Sequence, residues 1–383
     1  MTDLERYRQE IDRIDKELVA LWQERTAITD QVGRYKQEHG MNVLDRSREE
    51  AVLEGKKALV SDPDLRQDVV TLYEAILSIS RRRQRRLCTE SDAWVRRYLQ
   101  EAAFARDPVE NPRVLYQGEP GAYAEEAAVR FFGEDCDRKP LPKWEAVLDA
   151  LRKDEADYGV LPIENSSTGS INQVYDLLAK TGAYIVGEQT VKVDHCLMAP
   201  KGAGLDTVRQ VCSHEQGLFQ CEEYLKEHPQ WEQKAVLNTA AAAKAVAESG
   251  DVTRAAIGSR RAAALYGLEV LDGPINDNDS NYTRFVVVSP VMERRSGSDK
   301  VSALFVLPHR SGALHEIMTL FAVNGLNMMK LESRPIVGRS WEYLFFVDFT
   351  GDLADPAMDG VLRELSQTAE SLRVLGNYRT CGG

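Results

Sequence analysis

The residues best placed to do chemistry fall into clusters. Ile11, Ile14, Leu18, Leu21, Ile28 and Val32 recur at helical spacing and form one apolar stripe. Position 25 continues that stripe and is arginine. A guanidinium on an apolar seam must be paired or must face an anion. Lys36, eleven residues on, returns to nearly the same face. Arg8, seventeen residues back, falls roughly 100° off it and would serve such a pocket from a second copy of the chain. Asp45, Arg48 and Glu49 share a face at i, i+3, i+4, and Ser80 and Gln84 are i, i+4 neighbours on a later helix. Taken singly, an ion pair, a surface salt-bridge cluster and a polar helix face account for them. The run Arg81-Arg82-Arg83 with Arg85-Arg86 reads as a solvated face near a helix C-terminus, where positive charge is favourable.

A second cluster sits at strand ends. Tyr158 to Ile163 reads as a strand that runs into Glu164-Asn165-Ser166-Ser167-Thr168-Gly169-Ser170, with a helix expected from about Ile171. Hydroxyl and amide groups at a strand end and helix start make a polar anion pocket. A helix cap alone accounts for only one or two of them. Gly118 to Tyr123 is a glycine-containing strand-to-helix turn that can present N–H groups to an anion. Ser213, Gln220 and Thr283-Arg284-Phe285, which opens a strand to Val288, complete the group. His195 and His214, taken singly, read as ordinary half-buried histidines. In the last stretch, Ser311-Gly312-Ala313-Leu314 opens a helix that ends at Asn324-Gly325, and Glu332-Ser333-Arg334-Pro335 closes the next strand.

The elements that must position these groups divide the chain in three. Residues 1–90 read as helix almost throughout. Residues 112–290 alternate strands and helices in an α/β pattern. Residues 300–383 read βαββαβ, a ferredoxin-like order. Charged, proline-containing joints separate them at Glu90 to Asn111 and Ser289 to Lys300. The 383 residues fit two to four domains at roughly 100–200 residues each. Net charge is −12, from 48 Lys+Arg against 60 Asp+Glu, which argues against a nucleic-acid partner. Residues 1–90 hold 17 basic and 18 acidic side chains, so the acidity lies in the other two regions. No apolar run is long enough for a membrane span, and no signal-peptide core opens the chain. Six cysteines without CxxC pairing fit reduced thiols in a cytoplasmic protein. No metal-ligand motif and no nucleotide loop occur, so neither metal nor cofactor is expected.

Residues 1–90, by Arg8, Arg25, Lys36, Asp45, Arg48, Glu49, Ser80 and Gln84 in order, resemble the all-helical chorismate mutase domain. The resemblance implies an intertwined dimer in which each site takes one arginine from the partner. Arg25, Arg48 and the second copy's Arg8 would hold the substrate carboxylates. Lys36 and Gln84 would donate to the ether oxygen, Glu49 with Asp45 would meet the ring hydroxyl, and Ser80 would assist binding.

Residues 112–290 resemble prephenate dehydratase through Pro162-Ile163-Glu164-Asn165, Asp194-His195-Cys196 and Thr283-Arg284-Phe285. That family has two α/β subdomains, like a periplasmic-binding-protein half pair, with the site in the cleft between them. The resemblance implies Thr283 as the central catalytic group and Glu164 or water as proton source. Glu164, Asn165, Ser166, Thr168, Ser213, Gln220 and Arg284 would line the substrate site. Glu215 stands where the family has proline and Ala124 where serine is common. Arogenate, with an amino group in place of the keto oxygen, remains open as an alternative substrate.

Gly312-Ala313-Leu314 with Glu332-Ser333-Arg334-Pro335 resembles the ACT regulatory domain, which binds L-phenylalanine at an interface. Gly312, Ala313, Leu314, Asn324, Glu332, Ser333 and Arg334 are the effector residues so implied. The whole resembles the bifunctional chorismate mutase–prephenate dehydratases. It implies conversion of chorismate to prephenate and on to phenylpyruvate, feedback control by L-phenylalanine, and a homodimer or tetramer.

Overall fold

The computed structural model describes residues 2–41, 43–87, 106–336, 338, 339 and 341–381. The linker expected from Glu90 lies outside them as far as residue 105. The chain forms two compact units. One comprises Met1–Gln100, Val306–Asn327 and Leu353–Leu372; the other comprises Glu101–Phe305, Met328–Asp352 and Arg373–Gly383.

In the first unit, α1 (Asp3–Glu38) starts from a capping box, in which the Thr2 side chain accepts from the Glu5 N–H and the Glu5 carboxylate from the Thr2 N–H. Helix α2 (Arg46–Ala58) starts on Asp45, whose carboxylate accepts from the Arg48 N–H. Helix α3 (Arg66–Leu87) follows a 3-10 turn at Pro63–Leu65. Helices α1 and α3 approach closely at Gly33, where a Cβ would stand 3.0 Å from Gln84 Cγ. The stripe of α1 is bare in a single chain: Leu4, Tyr7, Ile11, Ile14, Leu18 and Leu21 are all exposed.

Helices Ala313–Val323 and Pro356–Thr368 belong to this unit and pack against each other and against α3. They correct the solvated-face reading of the arginine run. Arg81 is only 18% exposed, pairs with Glu49 and lies 3.7 Å from the buried Glu364. Arg82 donates to the Val323 carbonyl. Arg83 does reach outward, to Asp30 at 2.6 Å. The helical pattern of α3 shows that one face carries arginines; it does not show that a segment more than 200 residues later covers it.

The second unit holds two α/β lobes. The first lobe's sheet runs β2 (Asp137–Leu141), β1 (Arg113–Gln117), β3 (Tyr158–Asn165), β11 (Tyr282–Ser289), β5 (Tyr184–Lys192), with the short β4 (Gly169–Ser170) on β3. The second lobe's sheet runs β10 (Glu269–Asp272), β6 (Cys196–Ala199), β9 (Arg254–Gly258), β7 (Gln210–Ser213), β8 (Glu232–Ala235). The chain crosses between lobes twice, at residues 193–195 and 273–281. The crossings are tied together, since the Asn276 side chain donates to the Val193 carbonyl and accepts from the His195 N–H. Strands β3 and β11 are almost continuously buried, as sheet strands covered on both faces are, with apolar runs at Val160–Ile163 and Phe285–Val288.

The C-terminal strands follow the expected βαββαβ order and pair as β13 (Met328–Pro335), β14 (Tyr343–Thr350), β12 (Lys300–Val306), β15 (Ser371–Tyr378). This sheet shares a core with the first lobe, where Leu304, Phe346, Leu375 and Tyr378 pack with Tyr175, Leu178 and Ile185. The region expected as one body, residues 300–383, is therefore divided, with its strands mostly in the second unit and its two helices in the first.

Candidate active sites

The helical unit contains a cavity of about 390 Å³ lined by Arg25, Lys36, Asp45, Arg48, Glu49, Ser80, Arg81 and Gln84. That volume is in the range of small-molecule sites. Each polar group is set by its helix. Arg25 Nη1 donates to Ser80 Oγ at 2.8 Å, and Ser80 Oγ donates back to the Ile76 carbonyl. Lys36 Nζ donates to the Val43 carbonyl at 2.6 Å, tying α1 to the segment before α2. Asp45 caps α2, and its hydrogen bonds from the Arg48 N–H and the Ser47 hydroxyl lower its pKa. Gln84 Oε1 is buried and, among the described residues, has no hydrogen-bond partner. A buried unpaired amide oxygen costs about 1–3 kcal/mol. Four cations, Arg25, Lys36, Arg48 and Arg81, share the lining with two carboxylates, Asp45 and Glu49, which suits a dianion carrying a hydroxyl. Arg8 lies outside this cavity, on the exposed part of α1.

The lobed unit has a cleft of about 380 Å³ between its sheets. Its lining includes Asn165, Thr168 and Thr283 from the first lobe, His195 from the crossing, and Gln216 and Gln220 from the second. Asn165 and Thr283 are cross-strand partners on β3 and β11. The Asn165 amide is fixed in orientation because its oxygen accepts from the Ser167 and Thr168 N–H groups. Its nitrogen must then be the group that donates to Thr283 Oγ1 at 3.0 Å. With its oxygen so engaged, Thr283 keeps its own O–H to donate into the cleft.

Family profiles match both regions: chorismate mutase type II over residues 7–85 and prephenate dehydratase over 114–293. The bifunctional chorismate mutase/prephenate dehydratase of Escherichia coli K12 is 33% identical over 379 residues, covering 97% of this chain and 95% of the relative. The chain belongs to the bifunctional chorismate mutase/prephenate dehydratase family. It is a chorismate mutase, an isomerase, and a prephenate dehydratase, a lyase, of phenylalanine biosynthesis. An Arabidopsis thaliana arogenate/prephenate dehydratase is 38% identical over 277 residues, 70% of this chain and 72% of its own. The prephenate dehydratase of Arthrobacter aurescens, solved in complex with L-Phe, superposes with a TM-score of 0.64 at 31% identity, covering 70% of this chain and 89% of that one.

Not every dehydratase candidate lies in the cleft. Glu164 and Arg284 are adjacent in sequence to Asn165 and Thr283 and so project from the opposite face of the sheet. There Arg284 meets Glu164, Glu188 and Asp348 at 3.2, 3.2 and 2.8 Å, and Lys330 meets Glu164 at 2.8 Å. Burial penalises the Arg284 charge, but Asp348 and its fellow carboxylates hold the pKa above its ordinary value. Ser213 is fully buried and donates to the Ile257 carbonyl. Ser166 bonds the backbone of Ser280 and Tyr282, fastening the turn rather than lining the cavity. Missed among the candidates were Tyr123 and His195, which share the cleft wall; the available signals were the Gly118–Tyr123 turn and the Asp194-His195-Cys196 segment.

The effector candidates are split in the same way. Gly312, at φ +79°, precedes the helix that begins with Ala313 and Leu314, and Asn324 caps that helix's end by donating to the Leu320 carbonyl. Glu332 and Arg334 alternate with the exposed Ser333 along β13. Both are engaged with the first lobe: Glu332 accepts from the Ser170 hydroxyl, and Arg334 donates to both oxygens of Asp176 at 3.1 and 2.9 Å. No helix among the described residues is long and apolar enough to cross a membrane.

Proposed function

We propose that two separate sites in this chain run the two steps and that L-phenylalanine controls the second. In the mutase cavity Arg25, Arg48 and the second copy's Arg8 hold the two carboxylates. Lys36 and Gln84 stabilise charge on the breaking ether oxygen, Glu49 with Asp45 receives the ring hydroxyl, and Ser80 steadies Arg25. The rearrangement is pericyclic, so a fixed chair-like conformer and electrostatic stabilisation suffice. The exposed apolar stripe of α1 supports a homodimer, which would bring in the second Arg8. The observation that carries the mutase reading is the convergence of Arg25, Lys36, Asp45, Arg48, Glu49, Ser80 and Gln84 on one cavity.

In the dehydratase cleft Thr283 donates to the leaving hydroxyl. The C–O bond breaks as the carboxylate leaves as CO2, its bonding electrons aromatise the ring, and hydroxide takes a proton to become water. Glu164 faces away from the cleft, so water is the better proton source. Asn165, Thr168 and Gln220 bind the substrate. Loss of dehydratase turnover in Thr283→Ala tests this; near-normal turnover would contradict it.

The C-terminal βαββαβ element acts as an ACT-type regulatory domain for L-phenylalanine, supported by the Gly312-Ala313-Leu314 and Glu332-Ser333-Arg334-Pro335 segments and by the L-Phe complex of the Arthrobacter relative. Calorimetric binding of L-phenylalanine together with a lowered dehydratase rate tests it. Absence of binding removes the regulatory role.

A further inference from the structure

Across the floor of the dehydratase cleft runs a hydrogen-bond chain that no step above uses. Tyr123, the first residue of the helix Tyr123–Phe132, belongs to the first lobe. Its hydroxyl lies 3.1 Å from His195 Nδ1 and 3.0 Å from the Asp194 carbonyl. His195 sits on the crossing between lobes, and its Nε2 lies 3.0 Å from Gln220 Oε1 in the second lobe. His195 is 2% exposed, and its backbone is anchored on both sides: its N–H donates to Asn276 Oδ1 and its carbonyl accepts from the Ile275 N–H.

The Gln220 carboxamide oxygen lying on His195 Nε2 sets how the protons in this chain are arranged. Burial lowers the His195 pKa, so the ring is neutral and carries one N–H. Burial raises the Tyr123 pKa, so the phenol keeps its proton. A carboxamide oxygen can only accept. With that oxygen on Nε2, His195 carries its proton there and donates to Gln220; Nδ1 then accepts from Tyr123, which shares its one O–H between Nδ1 and the Asp194 carbonyl. With its oxygen engaged, Gln220 has its –NH2 left for the cleft that it lines.

We propose that Tyr123 and His195 are positioning residues that hold Gln220 with its –NH2 toward the substrate, so that this point of the cleft accepts a carboxylate or keto oxygen and rejects an ammonium group. The reversed arrangement, with the proton on Nδ1, would turn the Gln220 oxygen to the cleft and favour an amino substrate. This inference rests on Gln220 lining the substrate site, as proposed above.

The test is a double-mutant cycle of His195→Leu and Gln220→Met in the full chain. KM and kcat for prephenate are read alongside turnover of arogenate, with mutase turnover of the same preparation as a folding control. Loss of a hydrogen bond to a charged group should raise the prephenate KM about ten- to hundredfold in His195→Leu. In the Gln220→Met background the same substitution should add less than about twofold. His195→Gln, whose amide nitrogen stands near the imidazole Nε2, should restore KM to within about threefold of wild type. The ratio of kcat/KM for prephenate over arogenate should fall in His195→Leu. Multiplicative effects in the two backgrounds, or an unchanged KM in His195→Leu, would overturn the positioning role alone. An unchanged KM in Gln220→Met would overturn the placement of Gln220 in the substrate site, and the inference with it.

Discussion

Arg284 and Glu164 pair across β11 and β3 one register step from Thr283 and Asn165, and the two pairs face opposite sides of the same sheet. Thr283 and Asn165 face the dehydratase cleft. Arg284 and Glu164 face a buried ion network completed by Glu188, Lys300, Lys330 and Asp348. Lys300 comes from β12, Lys330 from β13 and Asp348 from β14, so the C-terminal sheet reaches the back of the Thr283–Asn165 pair.

This geometry separates two roles for Arg284. A substrate contact would show as a raised KM with stability intact. A buried ion hub, once broken, leaves uncompensated carboxylates and costs about 3–5 kcal/mol. Arg284→Gln should therefore lower the denaturant midpoint of the α/β body by a loss of that order, with dehydratase kcat falling as Thr283 shifts. Chemical denaturation followed by tryptophan fluorescence, with kinetics on the same variant, checks the split.

Arg81 links the mutase cavity to the helix Pro356–Thr368. It pairs with Glu49 on one side and approaches Glu364 on the other. Arg81→Gln should free the Glu49 carboxylate to wander and reduce mutase turnover about tenfold through lost positioning. Glu364→Gln should have a smaller effect in the same direction. Dehydratase turnover should be unchanged in both, which the second assay on the same protein reads directly.

Gly33 sets the spacing of α1 and α3. A methyl group there would stand 3.0 Å from Gln84 Cγ and 3.2 Å from its Cα and Cβ. Gly33→Ala should overpack this contact at about 1–3 kcal/mol and displace Gln84. Mutase kcat should fall while prephenate dehydration persists.

The pH dependence of stability should carry the mark of His195. Its folded pKa lies below 6.5 because of burial, against an opposing pull from Gln220 and Asp194. The unfolded chain then binds more protons than the folded one below about pH 6.5, and stability falls as pH falls through that window. A thermal melt series from pH 7.5 to 5 should show this slope, and His195→Gln should flatten it.

Much of the mutase cavity was legible in the sequence. Helical periodicity fixes which side chains share a face of one helix; that Arg25, Lys36, Asp45, Arg48, Glu49, Ser80 and Gln84 from three helices belong together was implied by the family resemblance, and all of them line one cavity. The covering of Arg81 was not legible, since it depends on a helix far along the chain. In the dehydratase, strand alternation already implied that Glu164 cannot share a face with Asn165, nor Arg284 with Thr283. Each motif, Glu164-Asn165 and Thr283-Arg284, in fact serves two faces of the sheet. His195 was hidden for another reason: its partners, Tyr123 and Gln220, come from different lobes and meet only in the folded unit. The division of the C-terminal strands and helices between two units had no sequence signature, because the βαββαβ order is the same in either arrangement.

The separation of the two sites is tested most directly by assaying both steps in Arg25→Ala and Thr283→Ala. Arg25→Ala should lose chorismate rearrangement and keep most dehydration of added prephenate; Thr283→Ala should do the reverse. Loss of both activities in either stably folded variant, or retention of mutase activity in Arg25→Ala, would contradict two independent sites built on these residues.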